Sequence, residues 1–197
     1  MLVPLRALIE LQDRSNLNNS VTNILSSFSC TQDKDIEFFL HNRAVEFEKI
    51  SKSRTYLLCD IKQNALTISI FAYFTLSIKT LQLPQDMSIN RRKKLDGLSG
   101  KIHNEPINDI PCFLIGQLGK NSNFDKSVIS GYEILRQALA VINYASLSIG
   151  GRWILIECRD NPKLIDFYTS NGFQLFMRQP DNNKPMVQML RKIDNVK

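Results

Sequence analysis

The stretch Ile154-Leu-Ile-Glu157-Cys-Arg-Asp-Asn161-Pro-Lys-Leu-Ile-Asp-Phe167-Tyr168-Thr-Ser-Asn171-Gly172-Phe173 says more about the fold than any other part of the chain. Its opening run, Arg152 to Cys158, is almost continuously apolar, the pattern of a strand covered on both faces by helices. Asn161 followed by Pro162 sets an N-cap and first turn, so a short helix is predicted over 162–170. Asn171-Gly172 then turns the chain into a strand from Phe173 to Arg178, and Met186 to Ile193 is the last strand.

Working outward, Ile134, Leu135, Ala138, Leu139, Ile142 and Ala145 recur at helical spacing. They predict a helix from Gly131 to about Ser148, closed by Gly150-Gly151. A strand from Ile110 to Gly119 and a polar loop, Lys120 to Ser130, precede it. Strand, helix and strand over 110–158 should form a right-handed crossover. Further upstream, Arg54 to Ile61 and Ala65 to Leu83 read as strands joined at Lys62-Gln63-Asn64, the second being long enough to bend or bulge. A single helix is predicted from Asp33, its N-cap, to Ile50, with Ile36, Phe39, Leu40, Ala44, Phe47 and Ile50 on one face. Residues 1–32 give no clear reading beyond a polar loop at Ser15 to Ser20. The order of elements implies an α/β sandwich on a mixed sheet.

The chain has 197 residues, 43% of them hydrophobic and 22% charged, which suits one globular domain over 1–197 and excludes a disordered or collagen-like chain. Such a domain buries roughly 70% of its unfolded surface without disulfide or metal staples. The N-terminus lacks the pattern of a signal peptide. The longest uncharged apolar run, Ala65 to Ile78, is 14 residues, too short to cross a bilayer as a helix. Cys30, Cys59, Cys112 and Cys158 are widely spaced, as expected of buried thiols in a reducing cytoplasm. His41 and His103 belong to no metal-ligand motif, so no metal is expected. The net charge is +6, and residues 91–101 hold five basic side chains against one acid. This basic insert, 84–109, makes an anionic partner plausible.

The loop entering the helix at Gly131 is a physical anion site, because first-turn amides and the helix dipole favour phosphate. Other nucleotide motifs fail. Gly116-Gln-Leu-Gly119-Lys120-Asn121 has Leu114 where a P-loop needs its first glycine, and Asn121 where it needs Ser or Thr. No G-x-G-x-x-G follows a strand, and no G-x-S-x-G elbow is present.

Asn161, the Phe167-Tyr168 pair and Gly172-Phe173 resemble, in type and spacing, the C-terminal half of the GCN5-related N-acetyltransferases. In that register the family's pyrophosphate motif, [Q/R]-x-x-G-x-[G/A], falls on Lys126-Ser127-Val128-Ile129-Ser130-Gly131. Gly131 matches, Lys126 replaces the usual Gln or Arg, and Ile129 replaces the first glycine, where a Cβ limits backbone approach. The resemblance implies a mixed, largely antiparallel sheet with a V-shaped splay between two central parallel strands, here 110–119 and 152–158. It implies acetyl-CoA as co-substrate, its pantetheine arm along Gln117, Leu118 and Gly119, with Asn161 also at the coenzyme. It further implies Tyr168 as the acid that protonates the departing thiolate. Glu157 is the nearest carboxylate for a base, although it can equally face solvent.

Phe28-Ser-Cys30 ahead of an acidic helix, Ala72-Tyr73-Phe74-Thr75-Leu76-Ser77, the basic insert and Ile110 to Gly119 resemble, more narrowly, the acetyltransferase toxins of toxin–antitoxin pairs. These acetylate the α-amine of aminoacyl-tRNA and stop translation. This resemblance implies an antitoxin protein partner and a homodimer. Tyr73 and Ser77, evenly spaced on one strand face, either line the acceptor side or pack. Arg91, Arg92, Lys93 and Lys94 are the candidate tRNA contacts. Three readings stay open: an acetyltransferase for aminoacyl-tRNA, one for a small-molecule or protein amine, and a catalytically silent binding protein.

Overall fold

A computed structural model describes residues 1–14, 21–62, 67–125, 127–179 and 184–193. In chain order, β1 (Leu2–Pro4), α1 (Leu5–Arg14), α2 (Val21–Ser26), α3 (Lys34–Asn42) and α4 (Ala44–Lys49) precede β2 (Arg54–Lys62) and β3 (Thr67–Gln82). Then follow α5 (Ile89–Asp96), β4 (Lys101–Ile102), β5 (Glu105–Pro106), β6 (Asp109–Lys120) and α6 (Gly131–Ile149). β7 (Trp153–Arg159), α7 (Pro162–Ser170), β8 (Gln174–Gln179) and β9 (Met186–Lys192) complete the order.

Seven strands form one sheet in the order β1-β2-β3-β6-β7-β9-β8. Neighbours run antiparallel except β6 and β7, the parallel pair joined through α6. Side chains of opposite parity separate the two faces. Ile154 and Ile156 pack with Ile134, Leu135, Ala138 and Ile142 of α6, while Leu155 packs with Leu95 and Met87 of the insert. A third cluster lies under α1 to α4, where Leu5, Leu25, Leu40 and Ala44 meet Leu57, Ile70 and Tyr73. The predicted mixed sheet is therefore present, and α6 crosses from β6 to its parallel neighbour β7.

The predicted helix over 33–50 is two helices. Asp33 caps α3, accepting from the Asp35 amide at 3.0 Å, but the backbone leaves helical geometry at Arg43 (φ −124°) before α4 begins. The break carries buried Glu48 onto β2, where its carboxylate accepts from the Thr55 amide (2.9 Å) and the Arg54 guanidinium (3.0 Å). Ile50, assigned to the apolar face, is exposed as the C-cap of α4. In the N-terminal segment that gave no reading, β1 extends the sheet by pairing Leu2 with Leu58, and α1 follows it directly. The predicted loop at 15–20 and the predicted turn residues 63 and 64 lie outside the described residues.

The basic insert has more order than its composition suggests. α5 is capped by the Ser88 hydroxyl and ended by Gly97 in the left-handed region (φ 83°). A two-residue hairpin follows, with positive φ at His103 and Asn104. Asn tolerates that conformation and His only occasionally adopts it, so the turn was not visible in the sequence.

Arg92 holds this unit together. It is 3% exposed, and its guanidinium donates to the carbonyls of Met87 (3.0 Å), Pro84 (2.7 Å), Gln85 (3.2 Å) and Ile107. Replacing it strands several buried acceptors at once. Arg92→Ala is expected to destabilise the protein by about 3 kcal/mol in urea unfolding. Arg92→Lys should recover little, since an ammonium cannot span the same acceptors. Lys93→Ala and Lys94→Ala should stay within about 0.5 kcal/mol of the parent.

Candidate active site

The central feature is a parting of β6 from β7. Their pairing spans only Phe113↔Ile154, Leu114↔Leu155 and Ile115↔Ile156, although both strands continue. The next residue on β6, Gly116, is the extra residue of a bulge against β3, where Thr75 faces Gln117 and Leu76 faces Ile115. A bulge bends its strand and sharpens the local twist, so β6 is turned away where the parallel pairing stops. A Cβ at Gly116 would lie 3.1 Å from the buried Thr75 Oγ1, so a side chain there crowds the bulge.

The parting opens a cleft of about 1030 Å³. Gln117, Leu118 and Gly119 line one side, still bonded to β3 at Thr75, Phe74 and Tyr73 but with their β7-facing backbone beyond the reach of that strand. An extended ligand chain can complete such an edge through main-chain hydrogen bonds. Asn161 and Tyr168 of the α7 segment line the other side. The Asn161 side chain accepts from the Lys163 amide at 2.9 Å, so it caps α7 as well as facing the cleft. Gly119 is also a packing glycine, because a methyl there would overlap Ile36 of α3.

Tyr168 is 7% exposed and packs edge-on against Phe167 (5.0 Å) and Phe173 (5.7 Å). Burial, helped by nearby Cys158, pushes its phenol above the ordinary tyrosine range, so it stays protonated at neutral pH. Burial also pushes the Cys158 thiol, another wall residue, up to about 11. It therefore remains a thiol and not a nucleophilic thiolate.

The loop before α6 is shaped by its own hydrogen bonds. The Asp125 carboxylate accepts from the Ser127 amide at 2.9 Å, and Val128 donates to the Asp125 carbonyl. Ile129, 8% exposed, drops its side chain into the α6 core, so the Cβ that replaces the expected glycine is directed inward. Ser130 and Glu133 form a capping box, with 2.7 Å bonds from the Ser130 amide and hydroxyl to the Glu133 carboxylate. Those bonds hold Glu133 below the usual carboxylate range. The amides of Gly131 and Tyr132 are the first-turn donors that helix geometry leaves for an anion. Ser127 to Gly131 are not walls of the enclosed cleft. Gly131 packs on the Phe167 ring, which lies 3.5 Å from where a Cβ would stand and meets the cleft residue Tyr168 edge-on. Lys126 lies outside the described residues.

Several expected contacts are corrected. Tyr73 is fully buried, donating to the Ile36 carbonyl at 2.5 Å and meeting Phe28 edge-on at 5.1 Å, so it fixes α3 to the sheet and lines no acceptor side. Ser77, half-buried opposite Leu114, is not a cleft wall. Arg92 is structural, as described above. Arg91, Lys93 and Lys94 are exposed, and the Arg91 guanidinium lies 5.3 Å over the Phe176 ring. That aromatic comes from β8, far away in sequence.

The structure also places Glu157 and adds the residues around it. Glu157 looks toward the insert side of the sheet, bonded to the Lys79 ammonium (2.5 Å) and to the Gln188 amide (2.9 Å). Arg159 bridges Asp33 and Asp35 at 3.0 and 3.1 Å, and Lys184 reaches Asp35 at 3.0 Å, tying α3 to the cleft's far wall. These partners are separated by 31 to 149 residues and leave no local signal. Among the described residues no group of His, Cys, Asp or Glu is placed to hold a metal, and no helix is long and apolar enough to cross a membrane.

A central parallel pair splayed at a bulge, with a helix-entry loop on one side and a buried tyrosine facing the gap, defines the fold of the GCN5-related N-acetyltransferases. No protein-family model matches the sequence, and no curated protein is similar to it in sequence. Solved structures are similar in fold. AtaT complexed with acetyl-methionyl-tRNAfMet matches with a TM-score of 0.58 at 23% identity, over 82% of this chain and 85% of that one. AtaTR bound with acetyl-CoA matches with a TM-score of 0.60 at 23% identity, over 83% and 84%. A mutant of KacT matches with a TM-score of 0.60 at 20% identity, over 83% and 85%.

The cleft wall that α3 provides depends on Glu37. Its carboxylate accepts from the Cys30 amide (2.7 Å), the Ser29 hydroxyl (3.1 Å) and Lys34 (3.0 Å). The Cys30 amide first, then Lys34, lowers it from about 4.5 to about 2. A carboxylate lowered on folding adds stability above its unfolded value, and that stability is lost as pH falls through the folded value. Unfolding midpoints of the parent should therefore drop between about pH 4.5 and pH 2. Glu37→Gln, less stable at pH 7, should show a flatter profile across that window.

Proposed function

We propose that the protein is an acetyl-CoA-dependent N-acetyltransferase acting on the α-amine of aminoacyl-tRNA, a translation-blocking toxin with an antitoxin protein as partner. The observation that carries the reading is the position of Tyr168, a phenol kept protonated by burial and facing the gap where β6 leaves β7. The residues present fit the co-substrate. The free edge at Gln117 to Gly119 suits an extended amide-bearing arm, and the amides of Gly131 and Tyr132 suit a pyrophosphate. Glu133 must share that helix end, and the inward turn of Ile129 leaves the loop backbone approachable.

Bound there, acetyl-CoA supplies an activated acetyl thioester. Tyr168 is the group that donates a proton to the departing thiolate sulfur. Backbone amides of the splayed β6 edge are the donors available to a developing oxyanion. Glu157, on the opposite side of the sheet from Tyr168's helix, is the carboxylate nearest an incoming amine. The neighbours' complexes support the choice of acceptor, since AtaT is seen with an acetylated aminoacyl-tRNA and AtaTR with acetyl-CoA. Arg91, Lys93 and Lys94 offer an exposed cationic face, with the Phe176 ring beside Arg91 for stacking. Charged tRNA is the substrate of translation, so the proposed site of action is the cytoplasm.

Calorimetric titration with acetyl-CoA should show micromolar binding, and no binding at millimolar ligand would remove the transferase reading. Tyr168→Phe should bind acetyl-CoA within twofold of the parent while kcat falls by about 10²-fold or more. In a separate assay, replacing Arg91, Lys93 and Lys94 together by Ala should weaken charged-tRNA binding. The dependence of log affinity on log salt should become shallower by about two to three units.

A further inference from the structure

A second cavity, about 360 Å³, lies on the insert side of the sheet behind the Lys79–Glu157 pair. It shares Glu157 and Met186 with the large cleft, so the two spaces adjoin along β7 and β9, starting at Glu157, the residue after the last β6–β7 pair. Its size sits at the small end of ligand cavities, which run from roughly 300 to 1,000 Å³. Apart from the mutually neutralised Lys79 and Glu157, its walls carry no charge: Leu81, Met177 and Met186 supply apolar surface, and Gln82, Gln179 and Gln188 supply amides.

Two observations indicate what it takes. The Gln188 side chain is part of the wall and 4% exposed, yet its Oε1 has no hydrogen-bond partner among the described residues. A buried amide oxygen left unpaired costs stability and is relieved by an N–H donor. Next to it, the Glu157 carboxylate already accepts a primary ammonium, that of Lys79, which is itself 43% exposed and free to swing outward. The corner formed by Glu157 and Gln188 is thus built to receive an amine, and the space beyond it is lined by unbranched, adaptable methionines.

We propose that this cavity is the acceptor pocket, holding an α-amine against Glu157 and Gln188 and an uncharged side chain between Met177 and Met186. The assignment rests on the acetyltransferase reading for its place in a reaction, but the amine-binding corner is defined by the cavity itself. Acidic side chains lose hydration in a wall that offers no unpaired cation to replace it. Basic ones lose hydration against the methionines without gaining a free carboxylate beyond the one the α-amine uses. The pocket thereby selects among aminoacyl groups by their side chains.

The test uses the full chain with ¹³C-labelled methionine methyl groups. It is titrated with the α-amides of leucine, methionine and glutamine as stable aminoacyl mimics, and with those of aspartate and lysine as charged controls. Saturable shifts at Met177 and Met186, at least tenfold tighter for the neutral amides, are expected. Gln188→Met, which removes the oxygen at similar volume, should weaken them about tenfold. Met177→Trp should abolish the Met186 shift with acetyl-CoA affinity within twofold of the parent. Silent methyls, or equal shifts from all five amides, would overturn the pocket. Acetyl-CoA calorimetry on the same samples reads the other proposal separately: binding with silent methyls sinks the pocket alone, and moving methyls without binding sink the transferase.

Discussion

The proposed chemistry depends on one short register. Three residue pairs hold β6 to β7, and past Ile115 and Ile156 the two strands go separate ways. Elsewhere in the sheet a ladder lost over this length would strand buried amides and carbonyls at a cost. Here the bulge at Gly116 lets β6 keep its bonds to β3 while abandoning β7, so only one edge is opened. β7 is compensated in the same way, remaining paired with β9 through Arg159. The gap is therefore stable because each of its lips is anchored from behind.

The two faces of that gap are chemically unlike. On the α6 and α7 side, aromatic packing around Tyr168 removes water and keeps a phenol and a thiol neutral. On the other side, Glu157, Lys79, Gln188, Arg159 and Asp35 form a polar, partly exposed surface. In the proposed reaction the proton donor lies on the first and the polar, amine-bearing reactant on the second. The sheet itself is the partition, and the splay is the window through it.

How much of this could be read beforehand follows from the range of the interactions. Asn161, Pro162 and Tyr168 lie within one helix and its cap, so local sequence placed them correctly, and the apolar run before them identified a central strand. The acidic helix from Asp33 was legible in its cap but not in its break, because Glu48 finds its partners on β2. Tyr73 stays open between lining and packing in the sequence, because strand text reveals alternation without revealing which face receives α3. Arg92 was hidden in a run of four cations, although its spacing from Leu95, i to i+3, matches the inward stripe of α5. The amide–carboxylate–ammonium chain of Gln188, Glu157 and Lys79 was invisible to any reading of spacing, since its members come from three strands brought together by the sheet.

The buried guanidinium of Arg92 has a consequence beyond folding. By gripping four carbonyls it removes the conformational freedom of the insert, so the neighbouring cations ride on a rigid platform instead of a loose loop. A polyanion settling on Arg91, Lys93 and Lys94 then meets a fixed pattern of charge, and the ordering entropy that a flexible arm would forfeit on binding has already been lost during folding. For the proposed tRNA ligand, the inward arginine would convert electrostatic attraction, which is indifferent to shape, into recognition that has a geometry.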